Sequence, residues 1–105
     1  MTVSSVEQLK KMRDEKVRAH LDQFAPVWLV DEKIIQQDEA IQFNVVFQHP
    51  QYGWVNRRYR FDGFNRVLYF KGQHIITEQE ALKVQNDGEP YLSALVSDIP
   101  NAYGG

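Results

Sequence analysis

Cysteine is absent from the chain, which removes disulfide bridges, thiolate nucleophiles and cysteine-based zinc sites together. Long apolar runs are missing too. No stretch approaches the roughly 18 residues that a membrane span needs. The opening MTVSSVEQLKKM has no continuous apolar core of the signal-peptide kind. A cytoplasmic protein with no membrane partner is the expectation. A net positive charge is also missing: 12 Lys and Arg against 14 Asp and Glu give −2, with pI ≈ 5.9, which argues against a generally basic nucleic-acid binder. There is no Walker loop, dinucleotide fingerprint or nucleophile elbow. His20, His49 and His74 stand on separate segments without metal-ligand spacing. No metal, cofactor or catalytic set is expected. The one pairing worth weighing as an acid–base couple is His20 with Asp22, near the end of the first segment. His20 serves equally well there as a cation at a helix C-terminus.

What the chain does contain is the making of one globular unit. Its 105 residues, 43% hydrophobic and 25% charged, suit a single core and leave no room for a second. SSVEQLKKMRDEKVRAHLDQFAP reads as a helix capped by Ser4 with Glu7 or by Ser5 with Gln8. Val6, Leu9, Val17, Leu21 and Phe24 fall on one stripe with Met12 beside it. Arg13 is assigned to the charged remainder, and Pro26 ends the helix.

VWLV (27–30) is a short strand, and DEKIIQQDE a turn-rich link. AIQFNVVFQ alternates, with Ile41, Phe43, Val45 and Phe47 on one side. Burying those four is worth about 6–12 kcal/mol before conformational entropy is subtracted. A hairpin follows over 54–71. Centring its turn on Gly63–Phe64 sets Phe61 opposite Arg66, Tyr59 opposite Leu68 and Arg57 opposite Phe70. One face then carries Val55, Tyr59, Phe61, Leu68 and Phe70 as core, with Arg57 and Arg66 at its margins. KGQ makes a further turn before a short strand HIIT, and Thr77 with Glu80 caps a helix through EQEALKVQ. YLSALVSDIP suits either a helix or a strand. The terminal diglycine belongs to a flexible tail, since ubiquitin-like modifiers begin with a hairpin and not a helix.

The fold class expected is α+β: an N-terminal helix packed on an antiparallel sheet of about four strands, with one or two short C-terminal helices. Residues 1–100 form the single domain and 101–105 the tail.

Charge is distributed unevenly. Residues 52–72 hold five basic residues against Asp62 alone, a local charge of +4. The remaining seven basic and thirteen acidic residues give −6. The outer face of the hairpin combines this charge with rings, through Trp54, Arg58, Arg60, Tyr69 and Lys71. Trp, Tyr and Arg are the residue types enriched at protein interfaces. The function expected is therefore a non-catalytic interaction or assembly domain, contacting another protein or a second copy through those five side chains. Binding of single-stranded nucleic acid by stacking on Trp54 and Tyr69 is the alternative.

Overall fold

A computed structural model describes residues 2–93, with side chains from Val6 onward. The secondary structure of residues 94–99 and the diglycine end lie outside the described residues. Helix α1 (Thr2–Leu21) leads through one 3-10 turn, Asp22–Phe24, and a cis Ala25–Pro26 bond into the sheet. The strands are β1 (Trp28–Ile35), β2 (Ala40–His49), β3 (Gly53–Asp62) and β4 (Val67–Ile75), and helix α2 (Glu78–Asp87) follows. The sheet is an antiparallel meander in the order β1-β2-β3-β4. The α+β architecture expected from the sequence is the one observed.

The alternation in β2 sets the core. Ile41, Phe43, Val45 and Phe47 are fully buried beneath α1, which contributes Leu9, Val17 and Leu21 from its stripe. Val46 points the other way and is buried as well. It lies beside Trp28, its register partner, whose indole N–H donates to the Gly88 carbonyl just beyond α2. Helix α2 thus covers the second face of the sheet at its β1–β2 end, with Ala81 buried. Thr77 caps α2 as expected: its hydroxyl accepts from the Glu80 amide, and the Glu80 carboxylate accepts from the Thr77 amide.

Several local expectations are corrected. Helix α1 begins at Thr2, so Ser4 and Ser5 lie inside it and cannot be its caps. The link after VWLV is not a turn. Strand β1 runs on to Ile35 through a bulge between Val30 and Lys33, where Asp31 takes a positive φ of 56°. KGQ is likewise no turn. Strand β4 continues through it with a bulge that leaves Lys71 unpaired between Phe70 and Gly72, and Gly72 has a φ of 139°. A glycine within an extended pattern is the ordinary sign of such a bulge.

The hairpin register also shifts. Phe61 pairs with Leu68 and Tyr59 with Phe70, two residues away from the expected alignment, around a four-residue loop. Asp62 builds that loop by accepting from the Phe64 and Asn65 amides and from the Asn65 side chain. These bonds, the Asn65 side chain first, hold its carboxyl below the usual range. Gly63 does not supply the positive φ that the tighter turn required; Arg66 does, at 57°. Gly63 is needed for close approach instead. A Cβ there would meet Leu9 Cδ1 at 2.5 Å and the Glu39 carbonyl at 2.7 Å, the same carbonyl to which the Gly63 amide donates.

Candidate functional site

The hairpin β3–β4 ends the sheet, and its two faces differ in cover. On the face away from α1, register places Arg60 beside Tyr69 and Arg58 beside Gly72. Arg58 and Lys71 are exposed, and Tyr69 is 43% exposed. Arg60 is half-buried and reaches the Asp38 carboxylate at 3.3 Å. Four of the five expected residues are thus gathered on or beside this open surface. Trp54 is set apart. It lies four residues along β3 from Arg58, about 13 Å at the usual strand rise, half-buried against Trp28 at 6.3 Å between ring centroids. Its ring belongs with the layer under α2 more than with the basic strip.

On the α1 side the expected core face is only partly covered. Val55, Tyr59 and Phe61 are buried and Leu68 is half-buried, but Phe70 is 59% exposed. Farther along the same face of β4, Ile75 is 65% exposed. Alternation assigned Phe70 to the right face, but the segments packed on that face leave its ring exposed. Val67 and Tyr69 are also exposed, on the opposite face. Strand β4 therefore shows apolar side chains on both sides, and its outer edge pairs with no strand among the described residues. The other edge differs: the chain returns to it, and Val27 forms a β-bridge with Leu92.

Arg57, expected at a margin, is central instead. Its Nε donates to Gln73 Oε1 at 2.8 Å and its Nη1 to the Tyr59 hydroxyl at 2.9 Å. The guanidinium lies 5.0 Å from the ring centroids of Phe47 and Phe70 and 5.9 Å from those of Phe24 and Tyr59. Burial pushes the Tyr59 hydroxyl above its ordinary pKa, with the Arg57 hydrogen bond and charge working against it. The sequence signal for this cluster was the unusual ring density around 57–70. The sequence assigns Tyr59 and Phe70 to the core and Arg57 to its margin, and nothing in that pattern announces that the guanidinium gathers their rings.

Arg13 departs furthest from expectation. It is 2% exposed, held by Asp14 at 2.6 Å and Glu32 at 2.7 Å, and stacked over Phe43 and Tyr91. Burial acts to lower its pKa, and Glu32, Tyr91 and Asp14 more than offset that, for a net rise. This cluster ties α1 to β1 and is structural.

The candidate acid–base pair does not converge on a cleft. His20 is exposed and edge-on to Tyr59, while Asp22 Oδ1 is buried without a hydrogen-bond partner among the described residues. A shallow depression of about 480 Å³ lies nearby, lined by Phe24, His49 and Gly53 among others, but by neither His20 nor Asp22. Among the described residues no group of three or more acidic or histidine side chains could hold a metal, and no helix is long and apolar enough to cross a membrane. No protein-family model, curated protein or solved structure matches the chain.

Proposed function

We propose that this chain is a non-catalytic cytoplasmic accessory domain that binds an acidic, extended segment of a partner protein along β4. The observation that carries this reading is the combination of an unpaired strand edge with exposed apolar side chains on both faces of the same strand. Such an edge presents main-chain donors and acceptors in register for an added strand. The positive charge of Arg58 and Lys71, beside the Arg60–Asp38 pair, selects an acidic occupant and speeds its encounter. The bulge at Lys71 divides the strand into two four-residue runs, Val67–Phe70 and Gly72–Ile75, each a length suited to a short docked peptide and unsuited to indiscriminate aggregation. The first carries Val67, Tyr69 and Phe70 and lies beside Arg60. The recognition surface centres on Arg58, Arg60, Tyr69 and Lys71, with Trp54 at its far end.

An alternating acidic–apolar peptide titrated against the labelled protein tests this. Amide signals of Val67–Phe70 are expected to shift and to become protected from exchange. The R58E/R60E double variant is expected to lose that binding while its unfolding midpoint stays close to the parent's. Arg58 is exposed, and the half-buried Arg60 loses with its charge only the pair with Asp38, worth at most about 1 kcal/mol. Unfolding of the double variant, or shifts elsewhere only, would overturn the assignment. Preferential, salt-sensitive binding of a labelled single-stranded oligonucleotide would replace the peptide with nucleic acid. Self-association through β4, seen by sedimentation, would replace it with a second copy.

A further inference from the structure

The α1-side face of the same hairpin carries a second feature, centred on Arg57 and sharing Phe70 and Ile75 with the apolar surface of β4. A guanidinium has five N–H donors. Gln73 and the Tyr59 hydroxyl engage two in Arg57, and no carboxylate meets it among the described residues. A half-buried cation is normally paired, because lost hydration must be replaced. Four aromatic rings supply part of that replacement. The two bonds to Gln73 and Tyr59 fix the plane of the fork. The remaining donors are therefore oriented in advance, so little side-chain entropy is left for a ligand to offset.

The surroundings state what the ligand's body must be. In register, Arg57 faces Gln73, while its neighbours Tyr59 and Val55 face Phe70 and Ile75. The cation is thus flanked along β4 by two exposed apolar side chains, with Phe24 on the α1 side. A planar monoanion matches the planar fork, and an apolar body would cover Phe70 and Ile75. A phosphate dianion would find one cation and apolar walls, which neutralise it poorly. We propose that Arg57, with the Tyr59 hydroxyl and Gln73 holding it and Phe70 and Ile75 as its apolar flank, binds the carboxylate of a small organic acid with an aromatic or aliphatic body.

The test uses 3-phenylpropionate and its amide, titrated into the whole protein and followed by the Arg57 Nε–H resonance and the Phe70 ring signals. Saturable shifts of both are expected with the acid, with Kd on the order of 1 mM or tighter. The amide, equal in shape and without charge, should move neither. Arg57→Gln is expected to weaken the acid by about tenfold or more, the scale of a lost charge-assisted contact. Phe70→Ser alters an exposed side chain and should weaken phenylpropionate but not acetate. If acid and amide bind alike, if the acid leaves the Arg57 signal unmoved, or if Arg57→Gln binds as the parent does, the assignment is overturned. Should Arg57→Gln fail to fold, the acid–amide comparison on the unaltered protein decides. Loss of peptide binding in R58E/R60E leaves this site untouched, so the two proposals fail separately.

Discussion

Arg13 of α1 and Glu32 of β1 meet at 2.7 Å across the helix–sheet boundary, with the guanidinium almost wholly withdrawn from water. The pair stands at the edge of the core, since the Glu32 side chain keeps about a quarter of its surface exposed and also has Lys10 at 3.7 Å. Removing the arginine therefore strands no carboxylate. What is lost is the packing of its stem and fork between Phe43 and Tyr91. Arg13→Ala is expected to cost about 2–3 kcal/mol in urea unfolding, and Arg13→Met, which keeps most of the volume, less than about 1.5 kcal/mol. Equal losses would mean that charge, not volume, carries the contact.

The Gly63 position should tolerate no side chain. Its would-be Cβ collides with the Leu9 methyl, which can move, and with the Glu39 carbonyl, which is held by its bond to the Gly63 amide. Gly63→Ala is expected to lower stability by about 1–3 kcal/mol. Gly88→Ala is the matched control, because its Cβ would meet nothing within 4 Å and its backbone is extended. That change should stay within about 0.5 kcal/mol. Thermal unfolding of the two variants side by side distinguishes steric exclusion from a general glycine effect.

Alkaline pH should loosen the domain through two tyrosines. Burial, then hydrogen bonding to Asp14, raises the pKa of Tyr91; burial raises that of Tyr59. In each case the neutral hydroxyl is favoured more in the folded chain than in the unfolded one. The stability it brings is complete below the ordinary tyrosine value of about 10 and is lost as pH rises from there through the folded pKa. Unfolding free energy measured from neutral to strongly alkaline pH should fall above about pH 10. Tyr91→Phe should flatten that fall while costing about 1 kcal/mol at neutral pH for its bond to Asp14. An unchanged alkaline slope in Tyr91→Phe would remove Tyr91 from the account.

The α2 cap offers a more local check. Thr77→Ala removes the hydroxyl that accepts from the Glu80 amide, and about 1 kcal/mol should go with it. The loss should show as faster amide exchange at the start of α2, with β2 unaffected. Uniformly faster exchange would show that α2 and the sheet open as one unit.

The strict alternation Ile41–Phe43–Val45–Phe47 decided one strand and its buried face without help from the rest of the chain, because side chains two apart must share a side of the pleat. The Thr77–Glu80 spacing likewise decided a helix start, since both bonds of a capping box close within four residues. The apolar stripe of α1 and the basic character of 52–72 were legible for the same reason: each is a property of near neighbours.

Tertiary structure decided what those faces touch. Periodicity places Phe70 on the α1 side, but only the packing of segments distant in the chain determines that it stays exposed. Nothing near Arg13 in the chain announces its burial, because Glu32 and Phe43 arrive from other strands. The two-residue shift of the hairpin moved Phe70 from opposite Arg57 to opposite Tyr59, the bulge at Lys71 set Gln73 opposite Arg57 to accept from its Nε, and Phe24 and Phe47 arrive from other segments to complete the rings around it. A sequence pattern states which residues share a face. Whether that face is covered, and by what, depends on contacts between segments distant in the chain, and those contacts turned an arginine expected at the margin into the centre of a candidate site.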